Sequence, residues 1–559
     1  MSLCYNNARK RLTGKLFSGH IIIKTPLNQN FFFNSVTANE IVLIIRSLEN
    51  SKATGPHSIP TEILKLIKAN ISHPLKEIIN LSFATGIYPD PLKIAKVVPI
   101  FKNKGDELQV SNYRPISLLS NINKIFEKLA YSRLYSFLNL YNCIYELQFG
   151  FRAKHSTNHA LFSLTEMVRE ALDQGNFACG IFIDLQKAFD TVDHNILLKK
   201  LEYYGVGGLA NNWFRSYLTN RQQFVSINGF NSKKLPMKYG VPQGSVLGPQ
   251  LFLIYINDLN KAIIHSITHH FADDTNLLVV GKSLRYIQKR INIDIKLLCK
   301  WLKANKISLN ASKTELIIFR DPRKKISFDV KIKINGKKLL PCESVKYLGI
   351  HIDRHLNWKT HETTVSTKLC RALGMLSKIR YYVEHKTLIM IYYGIFSSIL
   401  MYSSLIWGQN NSIVTRLQIL QNKALRIINF KPRRTSATPL FGICKILKLR
   451  DNISLQSFLL AYDSINCQLP SSLNKLFTFV DVDRDHNTRT ETLYQLIRPR
   501  TRTILYGSNS IKSKSLDIWN YCNLHYKEKN LYAKSKSICK NFVTKVLINR
   551  YEENIIGLN

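Results

Sequence analysis

The stretch Phe271-Ala272-Asp273-Asp274 interrupts two apolar runs with a pair of adjacent carboxylates. Ile264 and Ile267 precede it, and residues 277–280 that follow it read Leu-Leu-Val-Val. Two acids between β-like runs predict a hairpin whose turn carries the carboxylates. Taken alone, the pair has two interpretations, a catalytic site or an ordinary solvated turn. The second stays open because an Asp-Asp turn is common and is usually solvated.

A further carboxylate, Asp184, ends the short apolar run Gly180-Ile181-Phe182-Ile183. Such a run is typical of a buried strand, and an unpaired carboxylate beside a core is energetically costly. Together, Asp184 and Asp273 offer the oxygen ligands that suit Mg²⁺. Asp190 and Asp193 are close by in the sequence, but helix capping and turn formation are the preferred interpretation for these two.

A glycine- and proline-rich loop occupies residues 240–249, with the sequence Gly-Val-Pro-Gln-Gly-Ser-Val-Leu-Gly-Pro. Three glycines and two prolines predict a shaped loop with exposed backbone N–H groups, close to which a nucleotide or a template could lie. A purely structural turn between a strand and a helix explains the same composition.

The net charge indicates the class of partner. The chain of 559 residues has 79 Lys and Arg against 37 Asp and Glu, a formal net charge of +42. Hydrophobic residues make up 45% of the chain, which excludes wholesale disorder. So basic a chain favours polyanionic nucleic acid as a partner, with an anionic membrane surface as the alternative. The uncharged, largely apolar segment 387–407 contains several serines and predicts a core helix or helical pair rather than a membrane span.

Local patterns predict a mixture of strands and helices followed by a mostly helical C-terminal part, which is an α+β organisation. Thr37 and Glu40 form a capping-box pattern at the start of a helix. The next helix is expected to present Ile63, Leu64 and Ile67 on its apolar face. A β-like segment and three helices with apolar spacing are predicted around 95–101, 122–129, 291–302 and 417–428.

The order of these elements resembles the reverse transcriptase of jockey-like non-LTR (LINE-type) retrotransposons over residues 52–353. Any one matching block could arise by chance, but the whole series occurs in the order of that family. The blocks are VVPIFK at 97–102, NYRPISL at 112–118, QFGFR at 148–152, FIDLQKAFD at 182–190, PQG at 242–244, FADD at 271–274, LNxxKT at 309–314 and YLGI at 347–350.

The resemblance implies an α+β right-hand polymerase with fingers, palm and a helical thumb. Residues 1–85 would form an N-terminal extension with helices leading into the fingers. Residues 86–353 would form the fingers and palm, and residues 354–559 the helical thumb and a basic C-terminal extension.

The implied activity is RNA-directed DNA polymerisation, in which a nucleotidyltransferase adds dNTPs to a primer 3′-hydroxyl by a two-metal mechanism. Asp184, Asp273 and Asp274 match the acids that bind two Mg²⁺ ions, with Mn²⁺ as a possible substitute, and Asp274 is the less direct ligand. Lys313 matches the lysine proposed to protonate the pyrophosphate leaving group. A solvated turn lysine is the alternative interpretation of Lys313.

Five residues are implied for nucleotide binding: Arg114, Leu185, Phe189, Gln243 and Gly244. Arg114 matches a fingers residue that holds the triphosphate, a role suited to a planar bidentate donor; an ordinary surface arginine is the alternative. Phe189 matches the aromatic residue that blocks a ribose 2′-hydroxyl, with plain core packing as the alternative. Gln243 and Gly244 match the loop beneath the incoming nucleotide and template, and Leu185 belongs to the same block as Asp184.

Tyr347, Leu348 and Gly349 match the hairpin that grips the primer, although an ordinary strand and turn has the same pattern. Arg152 contacts either the template or the protein itself. His57 and Ser58 depart from the family, which usually has an acidic residue at this point of the early loop. The departure concerns local contacts of that loop and not the chemistry.

The implied partners are an RNA template, a DNA primer with its cDNA product, and dNTPs, in retrotransposon replication; no membrane is expected. Such elements usually carry an endonuclease upstream, whereas this chain begins just before the polymerase, so a separate endonuclease activity is expected for integration. The alternative function is a truncated or degenerate element product that binds RNA or DNA without useful catalysis. The basic clusters 323–325 and 431–434 would suit nuclear import of an intracellular protein, but solvated charged loops are the preferred interpretation.

Overall fold

The computed structural model describes residues 28–556 except 51–54, 57–58, 327, 335, 475, 479–494, 527–528 and 530, so the departure at His57 and Ser58 lies outside the described residues. The described helices are α1 Ala38–Ser47, α2 Thr61–Leu66, α3 Lys68–Thr85, α4 Asn121–Leu140, α5 Thr157–Asp173, α6 His194–Tyr203, α7 Gly208–Leu218, α8 Leu247–Ile256, α9 Leu259–Ala262, α10 Leu284–Ala304, α11 Lys359–Ile379, α12 His385–Ile391, α13 Ser398–Met401, α14 Ser404–Trp407, α15 Asn411–Ile428, α16 Thr438–Ile443, α17 Leu449–Ile465, α18 Ser471–Asn474, α19 Ile511–His525 and α20 Lys536–Ile556.

The described strands are β1 Ile94–Phe101, β2 Tyr113–Leu118, β3 Phe177–Ile183, β4 Leu185–Gln186, β5 Gln222–Ile227, β6 Phe230–Asn231, β7 Leu235–Pro236, β8 Ile267–Phe271, β9 Asp274–Gly281, β10 Ser308–Leu309, β11 Glu315–Phe319, β12 Ile332–Ile334, β13 Lys337–Leu339, β14 Pro341–Cys342, β15 Ser344–Tyr347 and β16 Ile350–Asp353. Strands and helices alternate up to β16, and the rest of the described chain is helical, as the sequence patterns predict.

A five-stranded sheet with the order β14-β11-β3-β9-β8 forms the centre of the fold. Its middle strand, β3, is antiparallel to both β9 and β11. Alternate side chains of a strand point to opposite faces of its sheet. Ala178 and Phe182 accordingly join one apolar core, whereas Cys179 and Ile181 join the other. Both faces of the sheet are therefore covered, and the predicted buried strand ending before Asp184 is confirmed.

The two cores divide the helices between the faces of this sheet. On one face, α5 packs together with the β15–β16 hairpin and the helices from α11 onward. On the other face lie the N-terminal helices, α6 to α8 and α10. A second sheet, of order β2-β1-β5-β6 with β7 beside β5, pairs β1 antiparallel to β2 and parallel to β5.

Two predictions for the first helices have different outcomes. The Thr37 hydroxyl accepts a hydrogen bond from the Glu40 backbone N–H at 3.2 Å, and the Glu40 carboxylate accepts one from the Thr37 N–H at 2.9 Å, so the capping box is confirmed. In α2, Leu64 is buried, but Ile63 is 47% and Ile67 is 37% exposed. The predicted apolar face is wrong at these two positions, and Ile67 lies between α2, which ends at Leu66, and α3, which begins at Lys68.

The apolar segment 387–407 is a broken run of short helices. It passes from α12 through a π-helical turn, Tyr392–Ser397, into α13, and it breaks at Ser403, where φ is 50°, before α14. Tyr392, Phe396 and Leu400 are completely buried in the core, so the prediction of helical core packing is confirmed. Across the described ranges, every helix is too short or too polar to cross a membrane.

Candidate active site

Three acids meet at one edge of the central sheet. Asp184 directly follows β3, and Asp273 lies in the turn between β8 and β9, where Asp274 begins the second strand. Ile183 is the register partner of Thr275, so the next positions in an antiparallel pair, Asp184 and Asp274, are neighbours. The predicted hairpin with carboxylates at its turn is confirmed.

The acids at this edge repel one another. Desolvation and then the charge of Asp184 raise the pKa of Asp273, and the Arg114 guanidinium partly opposes the shift. Desolvation followed by the charges of Asp273 and Asp184 raises the pKa of Asp274 to about 6. The shifts mean that this edge of the sheet holds negative charge that the surrounding protein leaves incompletely neutralised.

Gln148 holds the turn that carries Asp273. Its Oε1 atom accepts hydrogen bonds from the backbone N–H groups of Gly150 at 3.0 Å and Ala272 at 3.1 Å. Ala272 has a φ of 58°, a left-handed conformation that is uncommon for alanine. A Cβ atom on Gly150 would lie 2.4 Å from the Ala272 nitrogen, so only glycine allows this approach. The QFGFR block thus supports the acidic turn from behind.

Arg152, in the same block, binds the protein itself. Its Nη1 atom donates hydrogen bonds to the backbone oxygens of Tyr145 at 3.0 Å and Gln148 at 3.2 Å. Of the two roles that the sequence leaves open for Arg152, the structure supports the contact with the protein.

Asn310 fixes the position of Asp184. Its side-chain Nδ2 donates to Asp184 Oδ2 at 2.9 Å, and its backbone N–H donates to the Asp184 backbone oxygen at 2.9 Å. The Lys313 Nζ atom lies 3.7 Å from the same Oδ2, and its side chain is 71% exposed. The LNxxKT block therefore brings one neutral donor and one accessible cation to the acid.

The loop 240–249 is tied to two other elements of the site. Gln243 donates from Nε2 to Asp190 Oδ1 at 2.8 Å, and its backbone oxygen accepts from the Ser117 N–H on β2 at 2.7 Å. Gly244 has a φ of 118°, and a Cβ atom there would lie 2.6 Å from the Ser117 oxygen. Asp190 consequently has a second role beyond turn formation, because it orients Gln243. The neighbouring Asp193 caps α6, as predicted.

A buried glutamate on α4 also holds this loop. Glu127 is fully buried, and its Oε2 accepts from the Val246 N–H at 2.5 Å, just before α8. Its Oε1 accepts from the Tyr217 hydroxyl at 2.8 Å and from Asn123 Nδ2 at 2.9 Å. Sequence reasoning missed Glu127, because a single acid within a helix gives no local sign of a contact with a loop 119 positions away.

Phe189 and Leu185 have different surroundings. The half-buried Phe189 ring stacks on Phe252 with 4.5 Å between ring centroids and meets Phe151 edge-on at 6.1 Å. One part of this ring is fixed by packing and another remains accessible. Leu185 is buried in the core, so its side chain does not face the open edge of the sheet.

Arg114 is exposed on β2, opposite Ile100 on β1. Its charge lowers the pKa of Asp273, partly offsetting desolvation and the charge of Asp184. The guanidinium is therefore within electrostatic reach of Asp273.

The hairpin β15–β16 is anchored on both sides. Tyr347 is buried with its ring 5.1 Å from that of Phe182 on β3, and burial raises the pKa of its hydroxyl. Leu348 and Gly349 form the turn with φ values of 43° and 84°. The Tyr402 hydroxyl donates to the Leu348 oxygen at 2.7 Å, which connects the hairpin to segment 387–407.

The acids at this edge supply oxygen ligands of the kind that suit a divalent cation. In the part of the chain that the structure describes, no group of three or more His, Cys, Asp or Glu side chains is arranged to hold a metal ion by itself. Mg²⁺, however, is usually bound by one or two carboxylates together with substrate phosphates. The mutual repulsion of Asp184, Asp273 and Asp274 fits such a partly built site, which substrate would complete.

Residues 101–352 match the family described as reverse transcriptase (RNA-dependent DNA polymerase). The fold of this segment is that of a reverse transcriptase domain. The chain is 28% identical over 480 residues to the RNA-directed DNA polymerase from the mobile element jockey of Drosophila melanogaster, covering 84% of this chain and 52% of that protein. It is 29% identical over 457 residues to the probable RNA-directed DNA polymerase from transposon BS of the same species, covering 77% and 49%.

A third relative is the probable RNA-directed DNA polymerase from transposon X-element of Drosophila melanogaster, which is 28% identical over 434 residues and covers 75% of this chain and 46% of that protein. The chain spans about half the length of these curated relatives. The resemblance to jockey-like reverse transcriptases, stated from the sequence blocks, is confirmed. All the blocks except part of the first lie within the matched reverse transcriptase domain.

Proposed function

We propose that this chain is an RNA-directed DNA polymerase that extends a primer 3′-hydroxyl with dNTPs during replication of a non-LTR retrotransposon. The observation that carries the proposal is the meeting of Asp184 with the Asp273–Asp274 turn at one edge of the central sheet. The Arg114 guanidinium acts on Asp273, and the Lys313 amine lies 3.7 Å from Asp184. The block that contains Asp184 also carries the partly exposed Phe189 ring, and Asp190 of that block holds Gln243 of the glycine-containing loop.

Asp184 and Asp273, with Asp274 beside them, would hold two Mg²⁺ ions, and Mn²⁺ would be a possible substitute. When bound, such ions lower the pKa of an attacking hydroxyl and stabilise the charge that develops on a leaving pyrophosphate. The chain's own contribution is to hold the carboxylates still, through Gln148 under the turn and Asn310 beside Asp184.

Two cations would act on the triphosphate. Arg114 presents a planar fork of donors that suits phosphate oxygens, and its charge already acts on Asp273. Lys313 lies 3.7 Å from Asp184 and is largely exposed, so it can reach a phosphate leaving group and donate a proton to it.

The nucleotide's sugar and base would be selected by shape. The Phe189 ring is held by Phe252, so it cannot easily yield to a ribose 2′-hydroxyl, which favours deoxyribonucleotides. The backbone at Gln243 and Gly244 would lie beneath the incoming nucleotide and the template, and Glu127 and Asp190 fix the shape of that loop. The Leu185 contribution would come from its main chain.

The primer would be held by the hairpin turn at Tyr347, Leu348 and Gly349, which packs on the sheet that carries the acids. Residues 86–353 would form the fingers and palm, residues 354–559 a helical thumb with a basic extension, and residues 1–85 an extension leading into the fingers. With a net charge of +42, the surface would bind the RNA template and the growing cDNA mainly through phosphates.

Primer extension tests the proposal. Purified protein receives a poly(rA) template, an oligo(dT) primer, Mg²⁺ and labelled dTTP, beside the double variant Asp273→Asn, Asp274→Asn. Asp329→Asn, which removes one exposed carboxylate from a loop before β12, is the control. We expect incorporation by the wild type and the control and none by the double variant.

Absence of incorporation by the wild type over a range of salt and Mn²⁺ concentrations would contradict the proposal, provided that the protein is folded and binds RNA. That result would leave the alternative function, a degenerate element product that holds nucleic acid without catalysis.

A further inference from the structure

Two loops that are distant in the sequence meet at the end of a long helix. Residues 380–384 follow α11, and residues 429–434 follow α15, which packs along α11. His385 and Asn429 join the two loops through a contact of 3.3 Å between Nε2 and Oδ1. Because α11 starts just after β16 and rises about 30 Å over its length, these loops lie far from the β15–β16 end of that helix.

Aromatic rings are concentrated on these loops and face solvent. Tyr381 is 66%, Tyr382 86% and Phe430 52% exposed. The Arg380 guanidinium carbon lies 4.6 Å from the Tyr381 ring centroid and 5.2 Å from that of Phe430, and the two rings are 5.9 Å apart. Single exposed apolar side chains are ordinary on protein surfaces, but a fixed pair of rings joined by a guanidinium is a shaped surface.

The same loops carry positive charge without matching carboxylates. Glu384 is the acidic residue of these loops, at the start of α12. In the described residues, none of the cations on or beside the loops forms an ion pair with a carboxylate. These cations are Lys378, Arg380, Lys386, Lys431, Arg433 and Arg434.

We propose that this surface, named the ring–arginine surface and formed by residues 380–382 and 430–434, binds single-stranded nucleic acid. Unpaired bases expose the flat faces that Tyr381, Tyr382 and Phe430 can stack on, while the strand's phosphates meet the basic side chains. A duplex keeps the flat faces of its bases stacked inside, where the three rings cannot reach them. The combination of rings and cations therefore favours a single strand over a duplex.

The proposal adds a binding role to residues 431–434, which are interpreted from the sequence as a solvated charged loop. The loop is solvent-exposed, as expected, but it adjoins Phe430 and, across a ring contact, Tyr381. The proposal deepens the proposed function, because a polymerase must manage unpaired template. Binding at this surface nevertheless requires neither the acids nor a reaction.

Fluorescence anisotropy with a fluorescein-labelled oligo(U) RNA tests the proposal. The RNA has about 15 nucleotides, which is long enough to span a typical single-strand site. The full chain is first saturated with a blunt RNA·DNA hybrid, so that the proposed template–primer site beside Asp184 and Asp273 is occupied. The test variant is Tyr381→Ala, Phe430→Ala. The control is Tyr286→Ala, which removes a partly exposed tyrosine that also lies against an arginine, with 4.0 Å between the Arg290 guanidinium carbon and the ring centroid.

Loss of two stacking rings in Tyr381→Ala, Phe430→Ala is expected to raise the Kd for oligo(U) about tenfold or more. The Kd of this variant for a blunt duplex and the Kd of Tyr286→Ala for oligo(U) are expected to equal those of the wild type. A second variant, Arg433→Gln, Arg434→Gln, is expected to reduce the slope of log Kd against log salt by about 1.4 when both side chains contact phosphates of a single strand. Its control is Arg323→Gln, Lys325→Gln, which removes equal charge from another loop. Oligo(dT) DNA in a parallel titration tells whether the strand is RNA or DNA.

An unchanged Kd for both oligonucleotides in the ring variant would overturn the proposal. An equal loss of duplex affinity in the ring variant would also overturn it, because the surface would then not select a single strand. So would binding of anionic vesicles that the ring variant abolishes while RNA binding persists. Failure of the proposed function has a separate sign: primer extension by the wild type would be absent while ring-dependent RNA binding remained.

Discussion

The Gln148 side chain offers a test of how the acidic turn is positioned. Its Oε1 atom satisfies two buried backbone N–H groups, on Gly150 and Ala272, and the second belongs to the turn that carries Asp273. Gln148→Met keeps the length of the side chain and removes the acceptor. Leaving a buried donor unsatisfied costs about 1–3 kcal/mol, so the native turn should lose about 2 kcal/mol or more relative to rearranged forms.

That loss has a direct effect on rate. Because each 1.4 kcal/mol is a factor of ten in an equilibrium constant, about 2 kcal/mol lowers the equilibrium constant of the correct turn relative to rearranged forms by about thirtyfold. We expect the single-turnover rate of dTMP incorporation on poly(rA)·oligo(dT) to fall measurably, by up to this factor, while the Kd of the template–primer stays within about twofold.

The control is Gln250→Met on α8. Gln250 is buried like Gln148, but neither of its amide atoms has a hydrogen-bond partner in the described residues. Its replacement by methionine should therefore be neutral or slightly stabilising. An unchanged rate in a folded Gln148→Met protein, or an equal loss in Gln250→Met, would refute the idea that Gln148 positions Asp273. Gly150→Ala gives an independent check, since its Cβ would collide with the Ala272 nitrogen.

Phe189→Ala should lower the preference for dTTP over UTP by about 10–100-fold, measured from single-nucleotide incorporation; an unchanged preference would assign Phe189 to core packing. Lys313→Leu should lower the rate by about 100-fold if proton donation is its role, and Lys313→Arg, which keeps the charge but does not release a proton, should not restore it; full rescue by arginine would indicate a purely electrostatic role. Asp193 is desolvated, which raises its pKa, but the Lys306 hydrogen bond and backbone N–H groups outweigh this effect and lower it. The ionised Asp193 carboxylate therefore stabilises the folded protein above the unfolded pKa of about 3.9, and this stabilisation is lost as the pH falls through the lower folded pKa. The wild type should accordingly have a higher Tm than Asp193→Asn near neutral pH, and the difference should vanish in acid. A constant difference in Tm down to low pH would contradict this.

Local patterns predicted the parts of the site that one segment can specify. The acids Asp273 and Asp274 interrupt two apolar runs, and such an interruption is what a tight hairpin requires. Asp184 ends a run that is apolar at every position, which indicates a strand covered on both faces. These features depend on neighbours in the chain, so periodicity and composition were sufficient to place them.

Contacts between distant segments left no such local sign. Gln148 supports a turn 124 positions away, and Glu127 holds a loop 119 positions away. Neither residue differs in its local pattern from any polar residue of a loop or helix. The exposed Ile63 and Ile67 illustrate the converse, because apolar spacing indicated a face but not whether another part of the chain covers it. The family resemblance supplied roles for Arg114 and Lys313 that spacing alone did not.

The most direct test of the proposed catalytic centre uses the variant Asp184→Asn and measures the rate of incorporation separately from template–primer binding. Rapid-quench incorporation is measured together with the Kd of the same template–primer, and Asp190→Asn, which changes the partner of Gln243 instead, serves as the comparison. We expect Asp184→Asn to reduce incorporation by about 1000-fold or more, within the range that electrostatic and metal-ion catalysis supply, while it binds the template–primer as the wild type does. Incorporation within about tenfold of the wild type would contradict the assignment of this sheet edge as the polymerase active site.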